Sequence, residues 1–188
     1  MEIRGTQTEK NLVRAFVGES QANSRYAFFA EQAQKDGFVA IARIFAETAR
    51  QEEVHARCFF ACLQGGKVEI SMIVPAASVA DVRQNLKTAI KAEREEWTEL
   101  YPKFAEEARS EGFDDIANRF QSIAFCERQH ELRFAALLKE VESGSAFRSV
   151  QPIRWRCLSC GYVHEGTEAP ALCPACDRPQ AWYEKATD

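Results

Sequence analysis

An internal repeat constrains the possible folds of this chain more than any other feature of its sequence. When the sequence is shifted by 75 residues, at least nine positions carry the same residue in a single register. Because apolar residues recur at helical intervals around these positions, each copy predicts two helices joined by a turn at a glycine. The chain is therefore expected to form two helical hairpins that face each other. Nine of the matched pairs are Tyr26 and Tyr101, Phe29 and Phe104, Ala33 and Ala108, Gly37 and Gly112, Phe38 and Phe113, Ile41 and Ile116, Phe45 and Phe120, Glu52 and Glu127, and His55 and His130.

Local signals place the boundaries of the first hairpin. Residues 6–9, with the sequence TQTE, have capping-box spacing and predict the start of the first helix. Gly37 predicts a left-handed cap at its end. The second helix is expected to continue to residues 65–66, where two glycines stand together. The stretch 67–77 has the length of a crossover that returns the chain across the bundle.

The second hairpin follows the same plan. Residues 78–81, with the sequence SVAD, predict the cap of a third helix that runs to about Gly112. Pro102 lies inside it and is expected to kink the helix or to widen its turns. The fourth helix is predicted to end at Val141. The expected fold class is all-α, a four-helix bundle with one long crossover, which is the ferritin-like topology.

Two Glu-x-x-His motifs lie at the repeat spacing, Glu52 with His55 and Glu127 with His130. A separation of three residues puts the carboxylate and the imidazole on one helix face, and here that face is the apolar one. One such motif alone is weak evidence for a metal site. However, three further acidic residues lie at the same height along the predicted helices as the two motifs, roughly 22–29 Å from the turns. So many buried carboxylates need cations between them, and oxygen-rich ligation with two imidazoles suits iron or manganese pairs. The further acids are Glu19, Glu93 and Glu96.

Four cysteines near the C-terminus form two C-x-x-C knuckles, Cys157 with Cys160 and Cys173 with Cys176. Four thiolates at this spacing predict a tetrahedral metal site. The spacing fits both iron and zinc, so the alternative of a zinc ribbon stays open. The other three cysteines, Cys58, Cys62 and Cys126, are interpreted as small apolar fillers.

Composition and length limit the class of protein. A chain of 188 residues can hold a medium domain and a small module, predicted as residues 1–146 and 147–188. The net charge of −4, with both signs interspersed, argues against nucleic acid or a membrane surface as a standing partner. No segment has the length of an apolar membrane span, and no signal peptide is recognisable. The expected location is the cytoplasm.

Taken together, these motifs resemble the rubrerythrin family over essentially the whole chain, with a C-terminal part similar to rubredoxin. The resemblance implies that Glu19 and Glu93 are terminal ligands of two irons, and that Glu52 and Glu127 bridge them. It implies His55 and His130 as nitrogen ligands, and Glu96 as a ligand that exchanges with His55 when the redox state changes. Tyr26 and Tyr101 are read either as core aromatics or as partners of the carboxylates in catalysis.

The resemblance also implies an activity, a non-haem diiron peroxidase that reduces hydrogen peroxide to water in oxidative-stress defence. The four-cysteine iron, which zinc can replace in a given preparation, would pass on electrons from an NAD(P)H-linked donor protein, rubredoxin or its reductase. A homodimer is implied, in which one subunit's sulfur-bound iron lies near the other subunit's diiron site. The alternative function is a ferritin-like ferroxidase or iron-handling protein.

One irregularity in the repeat predicts a local distortion. Glu19 precedes Tyr26 by seven residues, whereas Glu93 precedes Tyr101 by eight. An extra residue within a helical turn beside a site is typical of a π-bulge. The third helix is therefore expected to widen between Glu93 and Tyr101.

Overall fold

The computed structural model describes residues 2–76 and 78–186 and contains four long helical rods followed by a small sheet. Consecutive rods are antiparallel neighbours within each hairpin, and the residues described between the hairpins form no helix or strand. The predicted four-helix bundle with a long crossover is confirmed. No helix within these residues is both long enough and apolar enough to cross a membrane. The rods are α1 (Gln7–Lys35), α2 (Val39–Phe60), α3 (Val82–Glu95) continued by α4 (Tyr101–Ser110), and α5 (Asp114–Glu142).

The first rod begins and ends where the sequence predicts. The Thr6 side chain accepts a hydrogen bond from the Glu9 amide at 3.1 Å, which caps α1. Gly37 follows the end of α1 with φ of +85°, a conformation that favours glycine and turns the chain into α2. Both predictions are confirmed.

The predicted end of α2 is wrong, because the helix stops at Phe60 rather than at residues 65–66. The Ile3 amide donates to the Gln64 side chain at 3.2 Å. This contact holds the segment after α2 against the start of the chain, away from the helix axis. Local propensity alone does not show such a contact between distant residues.

The predicted cap of α3 is also wrong. Asp81, not Ser78, is the N-cap, and its side chain accepts from the Gln84 amide at 2.8 Å. The Ala80 amide instead donates to the side chain of Asn85 at 2.9 Å, which keeps residues before Asp81 outside the helix. A carboxylate at the N-cap also interacts favourably with the helix dipole.

The third rod changes its turn between α3 and α4. Residues Glu96–Leu100 form a π-helical segment, and the Tyr101 amide donates to the Glu96 carbonyl, five residues back. The segment accommodates the one residue by which the interval from Glu93 to Tyr101 exceeds the interval from Glu19 to Tyr26, so the predicted bulge is confirmed. Pro102 follows in the first turn of α4, where its missing amide costs the helix little.

The apolar core of the bundle is divided into two clusters with a polar layer between them. One cluster packs Tyr26, Phe29 and Phe45. The other packs Tyr101 and Phe120. These rings exclude water from both sides of the layer, so any charge within it depends on partners in the protein.

The C-terminal module is a three-stranded antiparallel sheet in the order β2-β1-β3. Its strands are β1 (Arg148–Cys157), β2 (Val163–Glu168) and β3 (Tyr183–Lys185). The module packs beside the turn between α1 and α2, where Phe147 stacks on Phe38 with ring centroids 5.7 Å apart. The Lys185 ammonium also pairs with Glu140 of α5.

Candidate metal centres

Each rod contributes side chains to the polar layer between the two core clusters. The structure brings together six of the predicted ligands, and all six are buried. Two groups, each able to hold one metal ion, share the carboxylates of Glu52 and Glu127. One group is Glu19, Glu52, His55 and Glu127, and the other is Glu52, Glu93, Glu127 and His130.

The two groups are related by the repeat, and both imidazoles present Nδ1. His55 Nδ1 lies 2.9 Å from Glu52 and 3.0 Å from Glu127. His130 Nδ1 lies 3.0 Å from Glu52 and 2.8 Å from Glu127. The remaining carboxylate on each side stands further off, with Glu19 at 3.8 Å from His55 and Glu93 at 3.6 Å from His130. Glu52 and Glu127 therefore occupy the positions of shared ligands.

The carboxylate oxygens and imidazole nitrogens of this layer are better placed to bind metal ions than to form hydrogen bonds with one another. Six of the buried polar atoms here lack a hydrogen-bond partner within the described residues, although imidazole and carboxylate atoms lie only about 3 Å apart. Buried acceptors left without donors are costly unless a cation binds them. The six atoms are Glu19 Oε2, Glu52 Oε1, Glu93 Oε2, both carboxylate oxygens of Glu127, and His130 Nδ1.

Competition for protons leads to the same conclusion. Burial and the charge of Glu52 raise the pKa of Glu93 to about 8, and burial with the charge of Glu127 raises the pKa of Glu19 well above its usual value. Burial opposes the ionisation of Glu52, but the two adjacent imidazoles, which are positively charged when protonated, lower its pKa to about 2. Burial also disfavours the charged form of His130, yet Glu127 and Glu52 raise its pKa to about 12. Divalent cations would replace these protons and neutralise the carboxylates.

Two tyrosines each donate a hydrogen bond to an acid of the polar layer that belongs to the other hairpin. The Tyr26 hydroxyl of α1 donates to Glu93 of α3, and the Tyr101 hydroxyl of α4 donates to Glu19 of α1. Both tyrosines are fully buried. Burial first, and then the charges of these carboxylates, raise the pKa of each phenol well above its usual value. Each phenol therefore keeps its proton on the hydroxyl and orients one oxygen of an acid.

Glu96 is the predicted ligand that neither group contains. It begins the π segment, one turn from Glu93, and is only half-buried. Burial and the charges of Glu19 and Glu93 raise the pKa of Glu96 well above its usual value, so it lies within electrostatic reach of the layer. Its neighbour Glu95 is exposed, as is Glu53 beside the other motif, so neither side chain reaches the layer.

Two residues support the site without having been predicted from the sequence. Gln51 Oε1 lies 3.0 Å from His130 Nε2, and a proton on Nε2 leaves Nδ1 free as a ligand. Glu131 accepts hydrogen bonds from Arg94 and Trp97, which hold the π segment against α5. Gln51 falls on Cys126 when the repeat is applied, so the internal symmetry offered no signal for it.

The four knuckle cysteines converge as predicted. Their sulfur atoms lie within 4.8 Å of one another, with 3.8 Å between Cys157 and Cys176 and 3.6 Å between Cys160 and Cys173. Burial opposes ionisation of Cys173, but the Tyr183 hydroxyl and the Ala175 amide lower its pKa to about 6. A thiolate at neutral pH is the form that binds iron or zinc.

The remaining cysteines only partly follow the prediction. Cys58 and Cys62 are half-buried against the second core cluster, as apolar fillers would be. Cys126 is exposed, so its prediction as a filler is wrong. It lies one residue before Glu127, and a helix turns that position away from the buried face.

Fold and site together define a ferritin-like diiron carboxylate protein that carries a rubredoxin-like module. Residues 10–138 match the family described as Rubrerythrin, and residues 155–184 match the family described as Rubrerythrin, rubredoxin-like domain. The chain belongs to the rubrerythrin family. This result confirms the predicted fold class and identifies iron as the metal.

Individual relatives agree over nearly the full length. The chain is 52% identical to a rubrerythrin of Porphyromonas gingivalis over 97% of this chain and 91% of that protein. It is 50% identical to a rubrerythrin of Nitratidesulfovibrio vulgaris over 97% of this chain and 95% of that protein. A mixed-valence structure of nigerythrin superposes with a TM-score of 0.65 at 26% identity, covering 98% of this chain and 91% of that one. These relatives imply an oxidoreductase, and the rubredoxin-like domain implies electron transfer with a redox partner.

Proposed function

We propose that this chain is a non-haem diiron peroxidase that reduces hydrogen peroxide to water and receives electrons through its four-cysteine iron. One observation carries the proposal, namely that two overlapping acid–imidazole groups and a four-thiolate module occur in the same chain. A protein that only stores or oxidises iron has no use for a sulfur-ligated electron carrier. Hydrogen peroxide takes up two electrons and two protons as its O–O bond breaks, and two water molecules result.

Specific residues are assigned to this reaction. Iron bound by the two groups would supply the electrons, with Glu52 and Glu127 as bridges and Glu19 and Glu93 as terminal acids. His55 and His130 would be the nitrogen ligands, and Glu96 the acid that alternates with His55. Tyr26 and Tyr101 hold protons on their hydroxyls and keep Glu93 and Glu19 oriented. Cys157, Cys160, Cys173 and Cys176 would hold the electron-carrying iron.

Distance within one chain supports a homodimer. The module packs at the turn around Gly37, whereas Glu52 lies 15 residues further along α2, or roughly 22 Å at the helical rise. That is a long gap for direct electron transfer. A groove of about 650 Å³ between α2 and α5 opens onto His55 and His130. A second copy's module would dock there.

The surface around that groove suits a protein partner. Leu132 lines it with about half of its surface exposed, and Val54 and Phe125 on the same two helices are also exposed. Exposed apolar side chains on the helices that border a groove are consistent with a protein interface. The physiological donor to the module would be rubredoxin or its NAD(P)H-dependent reductase. Free thiols suit a reducing compartment, and we place the reaction in the cytoplasm.

The proposed domain boundary separates the part that would bind the diiron centre from the part that would transfer electrons. Residues 1–146 would form the diiron bundle, since α5 ends at Glu142. Residues 147–188 would form the electron-transfer module, since its sheet begins at Arg148.

Stopped-flow mixing tests the proposed activity. The fully reduced, iron-loaded protein is mixed in parallel with hydrogen peroxide and with dioxygen, and oxidation is followed by absorbance. A peroxidase is oxidised much faster by peroxide than by dioxygen. Rapid oxidation by dioxygen with little response to peroxide would reject the proposal and favour a ferritin-like ferroxidase.

A further inference from the structure

A cavity of about 330 Å³ lies on the face of the bundle opposite the groove, between α1 and the third rod. Its inner wall includes Glu96 and Tyr101, and the Tyr101 hydroxyl bonds to the buried acid Glu19. The cavity therefore reaches the polar layer from a side that the proposed electron-transfer module would not cover. Its volume lies within the range of small-molecule sites.

The roof of the cavity is the irregular crossover around residues 71–75. Two side chains of α1 donate hydrogen bonds to carbonyl oxygens of this segment. Arg14 donates to Ser71 at 3.0 Å, and Gln21 donates to Pro75 at 2.7 Å. No helix or strand is formed between residues 71 and 76. A surface segment without helix or strand structure can move to admit a ligand at a lower free-energy cost than a packed helix.

Gly18 on α1 leaves open space in the cavity wall. It sits in the interior of a 29-residue helix, where glycine is about 1 kcal/mol less favourable than alanine. Packing does not require it, because a Cβ added there would meet no atom within 4 Å. The effect of the glycine is to widen the cavity.

Apolar side chains form a continuous part of the cavity lining. Met72 and Leu100 contribute to it together with Phe104. Of the three basic side chains in the lining, Arg14 donates to the Ser71 carbonyl, and the buried Arg25 lies over the Tyr26 ring and contacts Gln21. The third, the exposed Lys103, shares the lining with the exposed acid Glu95, so the lining carries both signs of charge. An uncharged apolar group suits this lining better than an anionic one.

We propose that this cavity binds organic hydroperoxides, with the alkyl or aryl group among the apolar residues and the O–O group toward Glu96 and Tyr101. The inference rests on the proposed peroxidase function and extends its substrate class. The O–O bond of the hydroperoxide breaks as it accepts two electrons and two protons. One oxygen leaves as water and the other remains on carbon as an alcohol. The electrons come from the reduced protein, replenished by its electron-donor protein.

Filling the space at Gly18 tests the inference. In Gly18→Met the side chain projects into the cavity, whereas Gly18→Ala is the matched control that shares the gain in helix propensity. Cumene hydroperoxide and hydrogen peroxide are compared as substrates of the iron-loaded protein. We expect Gly18→Met to lower kcat/KM for cumene hydroperoxide by about tenfold or more, and for hydrogen peroxide by less than about twofold. Gly18→Ala should stay close to the parent with both substrates.

Binding is measured separately on the unaltered, oxidised protein, so that the test does not depend on the variant folding. Equilibrium dialysis with 2-phenyl-2-propanol, the alcohol product, should show saturable binding that Gly18→Met weakens. Equal slowing of both substrates by Gly18→Met, or no saturable binding by the parent, would overturn the inference. A parent that reduces hydrogen peroxide but not cumene hydroperoxide also overturns it and leaves the proposed function standing. A parent that reduces neither refutes the proposed function itself.

Discussion

Replacement of Tyr26 by phenylalanine removes one hydroxyl and leaves the ring in place. In the structure this hydroxyl donates to Glu93, whose side chain is 1% exposed, so water cannot replace the lost donor. A hydrogen bond to a charged group contributes about 1.5–3 kcal/mol. At about 1.4 kcal/mol per factor of ten, this corresponds to weaker iron binding by about 10- to 100-fold, in line with other outer-sphere partners of metal ligands.

The assay is anaerobic competition between the protein and a graded series of iron chelators, with bound iron counted per chain. Tyr101→Phe should give a loss of similar size, because its hydroxyl makes the equivalent bond to Glu19. Tyr162→Phe, which alters an exposed tyrosine of the C-terminal module, is the control for the bundle sites. The reasoning is refuted if Tyr26→Phe is folded by circular dichroism and binds bundle iron within about twofold of the parent.

Three further perturbations test other parts of the structure. Glu111→Gln should lower the free energy of unfolding by about 1–2 kcal/mol at pH 7, because the carboxylate accepts from the Gln7 and Thr8 amides at 2.9 and 2.8 Å. Burial opposes ionisation of Glu111, but hydrogen bonds from the Thr8 hydroxyl and from the Gln7 and Thr8 amides lower its pKa. Denaturant titrations should therefore show the stabilities of the variant and the parent converging as pH falls through the folded pKa of Glu111, and a difference that stays constant throughout the acid range would contradict this. Leu132→Glu should give monomers by ultracentrifugation that retain iron but lose steady-state turnover, and an active monomer would reject the proposed dimer. Cys160→Ser should abolish the visible thiolate–iron band and steady-state turnover while a single oxidation by peroxide persists, and unchanged turnover would remove the module from the electron path.

The repeat is the reason that so much of the bundle could be predicted from the sequence. Glu52 and Glu127 occupy equivalent positions in the two copies of the repeat. Once the distance of Glu52 from the turn of its hairpin was known, the same distance applied to Glu127 in the other hairpin. The one-residue slip before Tyr101 predicted the π segment because a helix can absorb an extra residue only by widening.

The features that escaped prediction depend on contacts between distant residues. Beyond the end of α2, Gln64 accepts a hydrogen bond from the Ile3 amide, a contact between residues 61 positions apart that local propensity does not contain. Gln51 supports His130 across two helices and has no equivalent in the repeat. The cavity at Gly18 likewise arises only when α1, the third rod and the crossover come together.

We propose that four acids and two imidazoles meet inside the bundle because two iron ions bind between them. Mössbauer spectroscopy of protein loaded with iron-57 tests this most directly, since coupled and isolated irons give different spectra. We expect three irons per chain, two in a coupled carboxylate-bridged pair and one in a tetrahedral sulfur environment. We also expect that Glu52→Ala with Glu127→Ala abolishes the coupled pair and leaves the sulfur-bound iron unchanged. A spectrum with only the sulfur-bound iron, obtained from fully loaded and folded parent protein, would contradict the claim.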